Sequence, residues 1–442
     1  MVDVVEIIIW GQLVGAARWD NDLQLASFQY DKKFLNTKND LSPIKMPLRN
    51  GEQIYSFPEL RKQKNQEVST FKGLPGLLAD SLPDRYGNEL INIWLAQEGR
   101  PPNSMNPVEQ LCFIGSRGMG ALEFKPAQLR STQQPFTIEI SNLVDMAQKL
   151  LSSKQNFKTN FHQDKQKALT EILTIGTSAG GARPKAVIAF NKNTGEVRSG
   201  QTKSPKGFEH WLIKLDGVSD TQFGASHGFG RVEYAYHLMA KDCGVTMMEC
   251  RLLEETNRAH FMTKRFDRDG NDVKHHIQTL CGIQHFDYNN LQGFSYEQLF
   301  QTMRILRMTY TEAEQMFRRL VFNVMATNYD DHTKNFSFML KENSKWELSP
   351  SYDICYSYDP DNVWVSQHTL SINGKHKDIK KADLMKIAAD NNIKNAEKII
   401  ESIKTVVSNW NKYALDAEVS EQLKNSISSN LIAPTFDLEQ KL

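Results

Sequence analysis

The hydrophobic pattern of this chain changes period near Phe266. Before that residue the apolar runs are mostly short, β-branched and separated by Gly or Asn-Asp turns; after it they recur mainly at helical spacing. A strand-rich half followed by a helical half predicts an α+β fold rather than an alternating one. At roughly 150 residues per unit, 442 residues make about three folding units or two large ones. The expected division is a β-rich unit over 1–125, a second strand-rich unit over 126–266 and a helical unit over 267–442. The second unit is expected to hold Lys185–Phe190 and 211–215 as strands and Phe229–Asp242 as a helix. A hairpin is expected around Thr256-Asn257. In the first, Val4 to Trp10 and Ala26 to Tyr30 read as strands and Arg85 to Gln97 as a helix. In the third, Ser295-x-x-Gln298 and Thr311-x-x-Glu314 read as helix-capping boxes, Asn335 to Leu340 and Trp346 to Leu348 as a hairpin, and three helical patterns fill Lys381 to about Asn430.

Composition removes several function classes. Lys plus Arg is 53 and Asp plus Glu is 52, so net charge gives no argument for a nucleic-acid binder. No run of about 18 uncharged apolar residues occurs, and the first residues lack a basic region before an apolar one. A cytoplasmic location with no membrane partner is the expectation. The 5 cysteines form no C-x-x-C pair, which argues for reduced thiols over a disulfide or zinc framework. The adjacent His275 and His276 do not face one site on a strand or helix.

The chemistry-bearing residues fall in a definite order. Gly176-Thr177-Ser178-Ala179-Gly180-Gly181-Ala182 is a small-residue run whose backbone N–H groups could approach phosphates. It is not a Walker A motif, since Ala186 follows Lys185 where a hydroxyl is needed, and its spacing is not that of a dinucleotide fingerprint. It does match the G-x-S-x-G nucleophile elbow, with Ser178 as the nucleophile of a serine hydrolase; that reading needs a helix after the turn, whereas Lys185 to Phe190 reads as a strand. A phosphate flap between strands and a plain flexible loop both remain open.

Asp330 precedes Asn335 by five positions just after a long helical pattern. This is the spacing of a catalytic loop in which the Asp accepts the proton of an attacking hydroxyl and the Asn holds magnesium; a helix-ending turn has the same composition. Asp353 follows the hairpin, placed as a second metal ligand, although Ile354-Cys355 stands where Phe-Gly is usual. Lys214 lies in an apolar strand, where it needs an anionic partner or a route to water, and Glu233 in the next helix can be that partner or an exposed carboxylate. Lys264-Arg265-Phe266 joins the halves, where a nucleotide base or a plain core would sit. Flap, strand Lys, helix Glu, linker, catalytic loop and metal Asp occur in the order of a two-lobed phosphotransferase using ATP and Mg2+. Two other segments are weaker: Gly115 to Gly120 reads as a structural turn, and Lys375 to Lys381 as a solvated charge run with some capacity to touch DNA.

These segments, together with Phe71-Lys72-Gly73-Leu74-Pro75-Gly76-Leu77-Leu78-Ala79-Asp80-Ser81-Leu82-Pro83-Asp84-Arg85-Tyr86-Gly87, make the chain resemble the HipA family of toxin serine/threonine kinases nearly end to end. The resemblance implies a two-lobed protein-kinase-like fold with an extra N-terminal β-rich domain and an all-helical C-terminal lobe. It implies a catalytic Asp330, metal ligands Asn335 and Asp353, and an ion pair from Lys214 to Glu233. The flap residues Ala179, Gly180, Gly181 and Ala182, with Lys185 and Lys214, would contact the nucleotide, as would Lys264, Arg265 and Phe266 at the hinge and His332, Lys334 and Tyr352 below it. Ser178 matches the family's autophosphorylated serine. The implied partner is a small helix-turn-helix DNA-binding antitoxin, HipB-like, through which DNA is mainly contacted, and the implied substrate is a translation component such as an aminoacyl-tRNA synthetase. A non-catalytic pseudokinase working through the antitoxin is the alternative that retains the fold. Asp331 departs from the glycine expected in the family's catalytic loop.

Overall fold

β1 (Val4–Ile9) turns back through Trp10-Gly11 into β2 (Gln12–Asp20), which pairs with β3 (Leu25–Tyr30). Both turn residues have positive φ, 48° and 76°, as a two-residue hairpin with correctly twisted strands requires. Trp10 therefore belongs to the turn and not to the strand. β2 has no counterpart among the expected strands, because Gly15 reads as a separator. In the fold it is the residue that lets two strands approach: a Cβ there would collide with the Gln29 carbonyl of β3. With β4 (Tyr55–Ser56) and β5 (Glu123–Lys125) the first sheet has the order β4-β3-β2-β1-β5. The computed structural model describes residues 2–62, 69–127, 137–152, 176, 183–200, 204–218, 227–255, 257–270, 272–433 and 435–436.

Three helices follow the first four strands: α1 (Gly76–Ala79), α2 (Arg85–Gln97) and α3 (Pro107–Ile114). α2 has the expected bounds and works as a wedge. Its Ile91 and Leu95 join the large apolar core shared by the first sheet and the helical lobe, while Leu90 and Ile93 join a second cluster under the next sheet. α4 (Ile140–Ser152) covers that cluster with Leu143, Val144 and Ala147. The second sheet runs β7-β6-β8-β10-β9 and comprises β6 (Lys185–Phe190), β7 (Val197–Ser199), β8 (Glu209–Lys214), β9 (Cys250–Glu255) and β10 (Arg258–Lys264), all neighbours antiparallel. α5 (Phe229–Asp242) lies directly on β10, since a Cβ at Gly230 would strike the Ala259 carbonyl.

The C-terminal lobe contains α6 (Leu280–Gln284), α7 (Tyr296–Ile305), α8 (Tyr310–Met325), α9 (Lys381–Asp390), α10 (Ala396–Ser408), α11 (Trp410–Asp416) and α12 (Glu421–Ser428). It is not all-helical. The expected hairpin, β12 (Ser337–Leu340) and β13 (Trp346–Leu348), gains a third strand, β11 (His276–Thr279). β11 escapes an apolar-period reading because its inward residues are His276 and Gln278. Four helices, not three, span 381–428, since the chain breaks at Asn409 between α10 and α11. α7 carries the expected Ser295–Gln298 capping box, whereas α8 is capped by Thr309 and Glu312 rather than by Thr311 and Glu314. Glu314 instead pairs with Arg318 one turn on, at 2.8 Å. All five cysteines are free thiols, and no helix among the described residues is long and apolar enough to cross a membrane.

Candidate active site

Strand register puts two lysines side by side. Lys214 ends β8 opposite Lys185 of β6 and Phe261 of β10, and both lysines are largely withdrawn from water. Like charges in a buried site need carboxylates, and the fold delivers two. α5, whose Gly228 N–H at the N-terminus is accepted by Asp216, carries Glu233 to 2.5 Å from the Lys214 ammonium. The segment after β13 brings Asp353, which also pairs with Lys214. Burial opposes the Lys214 charge, yet Asp353 and Glu233 together raise its pKa above the ordinary lysine value. Burial likewise opposes the Asp353 charge, but Lys214 and Lys185 hold that carboxyl below its usual range. The Asp353 backbone has φ of 51°, a conformation that side-chain-bearing residues seldom adopt and that tends to mark functional sites.

The loop after α8 supplies the third carboxylate. His332 caps the short turn Thr333–Asn335 by accepting the Lys334 N–H, and the Asn335 amide donates to the Asp330 carbonyl at 2.6 Å. The Asp330 carboxylate keeps 43% exposure, with His332 Nε2 at 3.6 Å. Desolvation, with Asp353 and Asp331 nearby, raises its pKa above the ordinary aspartate value, against the lowering influence of His332 and Lys214. Asp330, bonded to Asn335, thus lies close enough to feel the charges of Asp353 and Lys214, which brings the loop after α8 up to the Lys214–Glu233–Asp353 cluster.

The remaining expected residues divide. Phe266 and Tyr352 stack, ring centroids 5.8 Å apart, joining the hinge to the residue before Asp353. The Lys264 ammonium is bound by Glu209 at 2.6 Å, and the Arg265 guanidinium is buried against Asp267. Lys334 points its ammonium away to Asp84 at 2.5 Å and over the Tyr288 ring, while its carbonyl accepts the Tyr352 hydroxyl. Ser178, Ala179, Gly180, Gly181 and Ala182 lie outside the described residues. β6 begins at Lys185, however, so a strand stands where a hydrolase elbow requires a helix, and the Ser178 nucleophile reading is corrected on that ground. The Gly115 to Gly120 turn is structural, as expected: the Gly120 N–H donates to Asp267 at 2.7 Å and its carbonyl accepts from Arg268. In the basic segment, Lys375 and Lys381 are held by Asp383 and by Glu397 and Glu401.

Residues that spacing did not single out also shape the site. Asp80 accepts both the N–H and the hydroxyl of Thr279, and burial pushes its pKa up to about 6. Asp84 reaches Lys334 across 250 positions. Asp331, noted only as a departure from pattern, is fully buried. Asp80 and Asp84 sit within the quoted amino-terminal motif, which was the signal available for them.

The donor set fits a magnesium nucleotide: Asn335 and Asp353 offer the oxygen ligands such a cation takes, and Lys214 with Lys185 offers charge to phosphates. Known proteins resemble the chain over most of its length. Residues 5–125 match the HipA N-terminal domain and residues 177–410 the HipA-like C-terminal domain. The structure of HipA from Shewanella oneidensis MR-1, solved with HipB and operator DNA, superposes with a TM-score of 0.64 over 96% of this chain and 94% of that one, at 16% identity. A Haemophilus influenzae protein named as a kinase is 31% identical over a stretch that spans 27% of this chain and 39% of that protein. The fold is therefore the two-lobed, kinase-like α+β arrangement with its amino-terminal addition, and the chain belongs to the HipA family.

Proposed function

We propose that this chain is an ATP- and Mg2+-dependent serine/threonine protein kinase acting as the toxin of a toxin–antitoxin pair. The observation that supports it most is the Lys214–Glu233–Asp353 cluster, whose charges act on Asp330, itself bonded to Asn335. Magnesium, when bound by Asn335 and Asp353, supplies neutralisation of phosphate charge. Lys214, steered by Glu233, orients the α- and β-phosphates, with Lys185 as a second positive neighbour. Asp330 accepts a hydrogen bond from the acceptor hydroxyl and takes its proton as the new O–P bond forms and the bond to the ADP oxygen breaks. His332 favours the ionised form of that carboxyl. The segment Lys264 to Phe266, with Tyr352 stacked on Phe266, borders the adenine. Ser178 to Ala182, which lie outside the described residues, are assigned to phosphate binding on the family likeness alone, and phosphorylation of Ser178 is assigned the off-switch, because a nearly doubly negative group beside bound phosphates would repel ATP.

In this reading residues 1–125, 126–266 and 267–442 act as amino-terminal unit, upper lobe and helical lobe. The partner is a small helix-turn-helix antitoxin of the HipB kind, since the Shewanella HipA is seen with HipB and operator DNA. The target is a translation component, an aminoacyl-tRNA synthetase being the expected class. The test is phosphate incorporation from γ-labelled ATP with magnesium into wild type, Asp330→Ala and Ser178→Ala. Label should fall by about 10²-fold or more in Asp330→Ala, and its additional loss in Ser178→Ala would place the acceptor on the flap. No label in wild type or in a generic acceptor, with nucleotide binding intact, would replace the kinase with a non-catalytic binding module.

A further inference from the structure

Asp331 has no part in the mechanism above, and a carboxylate beside a loop Asp would ordinarily face water. Instead its side chain is 0% exposed and used at both oxygens. Oδ2 accepts the Tyr296 hydroxyl at 2.9 Å and lies 2.8 Å from His368 Nδ1; Oδ1 accepts the Thr369 N–H at 2.7 Å and the Leu370 N–H at 3.4 Å. Behind Tyr296 the chain of bonds continues: its hydroxyl accepts from Asn323 of α8 at 3.0 Å, and Asn323 accepts from Asn328 at 3.0 Å. A buried charge with fewer partners would be costly, so these bonds are what allow it to be there.

The other side of Asp330 is fastened to the same stretch of chain. The Tyr329 N–H donates to the Ser357 carbonyl at 3.1 Å, and the Thr369 hydroxyl donates to the Tyr329 carbonyl. The segment 354–370, which continues directly from Asp353, is therefore tied at Ser357 and again at His368 to Leu370. It is anchored on Thr327, whose carbonyl accepts the Ser357 N–H at 3.2 Å, and on Tyr329 and Asp331, the immediate neighbours of Asp330. We propose that Asp331 is a positioning residue: by clamping the segment that follows Asp353 onto the loop that carries Asp330, it holds the proton-accepting and metal-binding carboxylates at one separation. The role presupposes the kinase reading, but the clamp itself does not.

The test uses the full chain as wild type, Asp331→Gly and Asp331→Asn. Asp331→Gly removes every acceptor, and Asp331→Asn keeps an oxygen for the Thr369 and Leu370 N–H groups. Two readouts are needed. Amide hydrogen exchange at Thr369 and Leu370 reports the clamp without any catalysis. The rate of phosphate transfer per nucleotide-binding site reports positioning with any unfolded fraction removed. In Asp331→Gly, exchange at both amides should rise about 10-fold or more while β6 and β8 are unchanged. The kcat should drop by about 10- to 100-fold with KM for ATP within about two-fold, the pattern of an interaction that matters in the transition state. Asp331→Asn should fall between, and serves if Asp331→Gly does not fold. Unchanged exchange would overturn the clamp. Released amides with kcat per site within about two-fold of wild type would overturn the positioning role. Wild type that exchanges slowly at these amides but transfers no phosphate would sink the kinase reading, and with it the catalytic part of the proposal, while leaving the clamp in place.

Discussion

Lys214 has two anionic neighbours in a site where its own side chain is 18% exposed, so its removal breaks both ion pairs and leaves Lys185 to offset the charge of Glu233 and Asp353 together. Lys214→Met should therefore lower stability by about 3 kcal/mol in urea unfolding, beyond the loss of activity, because breaking a buried pair leaves uncompensated charge. The acid side of wild-type stability follows from Asp353. Its folded pKa is depressed, so its contribution is complete above the unfolded value of 3.8 and is lost as pH falls through the folded one. Asp330 runs the other way: its raised pKa means that the ionised form, which the proposed function requires as proton acceptor, disappears at a higher pH than for an ordinary aspartate. The kcat should accordingly fall on acidification with one ionisation, and His332→Gln should move that limb to higher pH, since His332 lowers the Asp330 pKa; an unmoved limb would assign it to another group. Lys214, Glu233, Asp330, Asn335 and Asp353 were legible from order along the chain because each occupies a fixed place relative to a strand or helix. The partners of Asp331 and Asp84 were not, since they lie 37 and 250 positions away.

At the scale of elements, the overlapping motifs at the start of α8 show how local rules compete. Thr309-x-x-Glu312 and Thr311-x-x-Glu314 both read as capping boxes, and the chain uses the first. Arg307, at φ of 58°, turns the backbone just before it, and Thr309 is the residue in extended conformation whose hydroxyl accepts the Glu312 N–H. Thr309→Ala should cost about 1 kcal/mol and Thr311→Ala less than about 0.5 kcal/mol, by thermal or urea unfolding; equal losses would show that the cap contributes nothing. Apolar period found β6, β8, α2 and α5 because their buried residues are hydrophobic. It missed β2 and β11 because a glycine and two buried polar side chains broke the pattern where the packing is tightest.

Across the whole molecule, the amino-terminal sheet and the helical lobe share one apolar core, and polar ties cross the same boundary. Asp84 pairs with Lys334, Asp80 with Thr279, Gly120 with Asp267, and the Trp10 indole with the Lys274 carbonyl at 2.7 Å. Asp84→Asn should destabilise the full chain by about 3 kcal/mol, with the 5–125 region and the helical lobe unfolding in one transition; two separated transitions would show that the ties carry little energy. The distribution of these ties also bears on how such a protein can change over generations. Lys334 sits two residues from His332 in the loop after α8, and its counter-charge is written in a different stretch of the gene, beside the Gly76 backbone whose lack of a side chain lets it touch Gly282. Amino-terminal halves exchanged between relatives would have to arrive with the aspartate, the glycine and the apolar face of α2 as a set. Recombination at the boundary is thus constrained as tightly as substitution within the cleft.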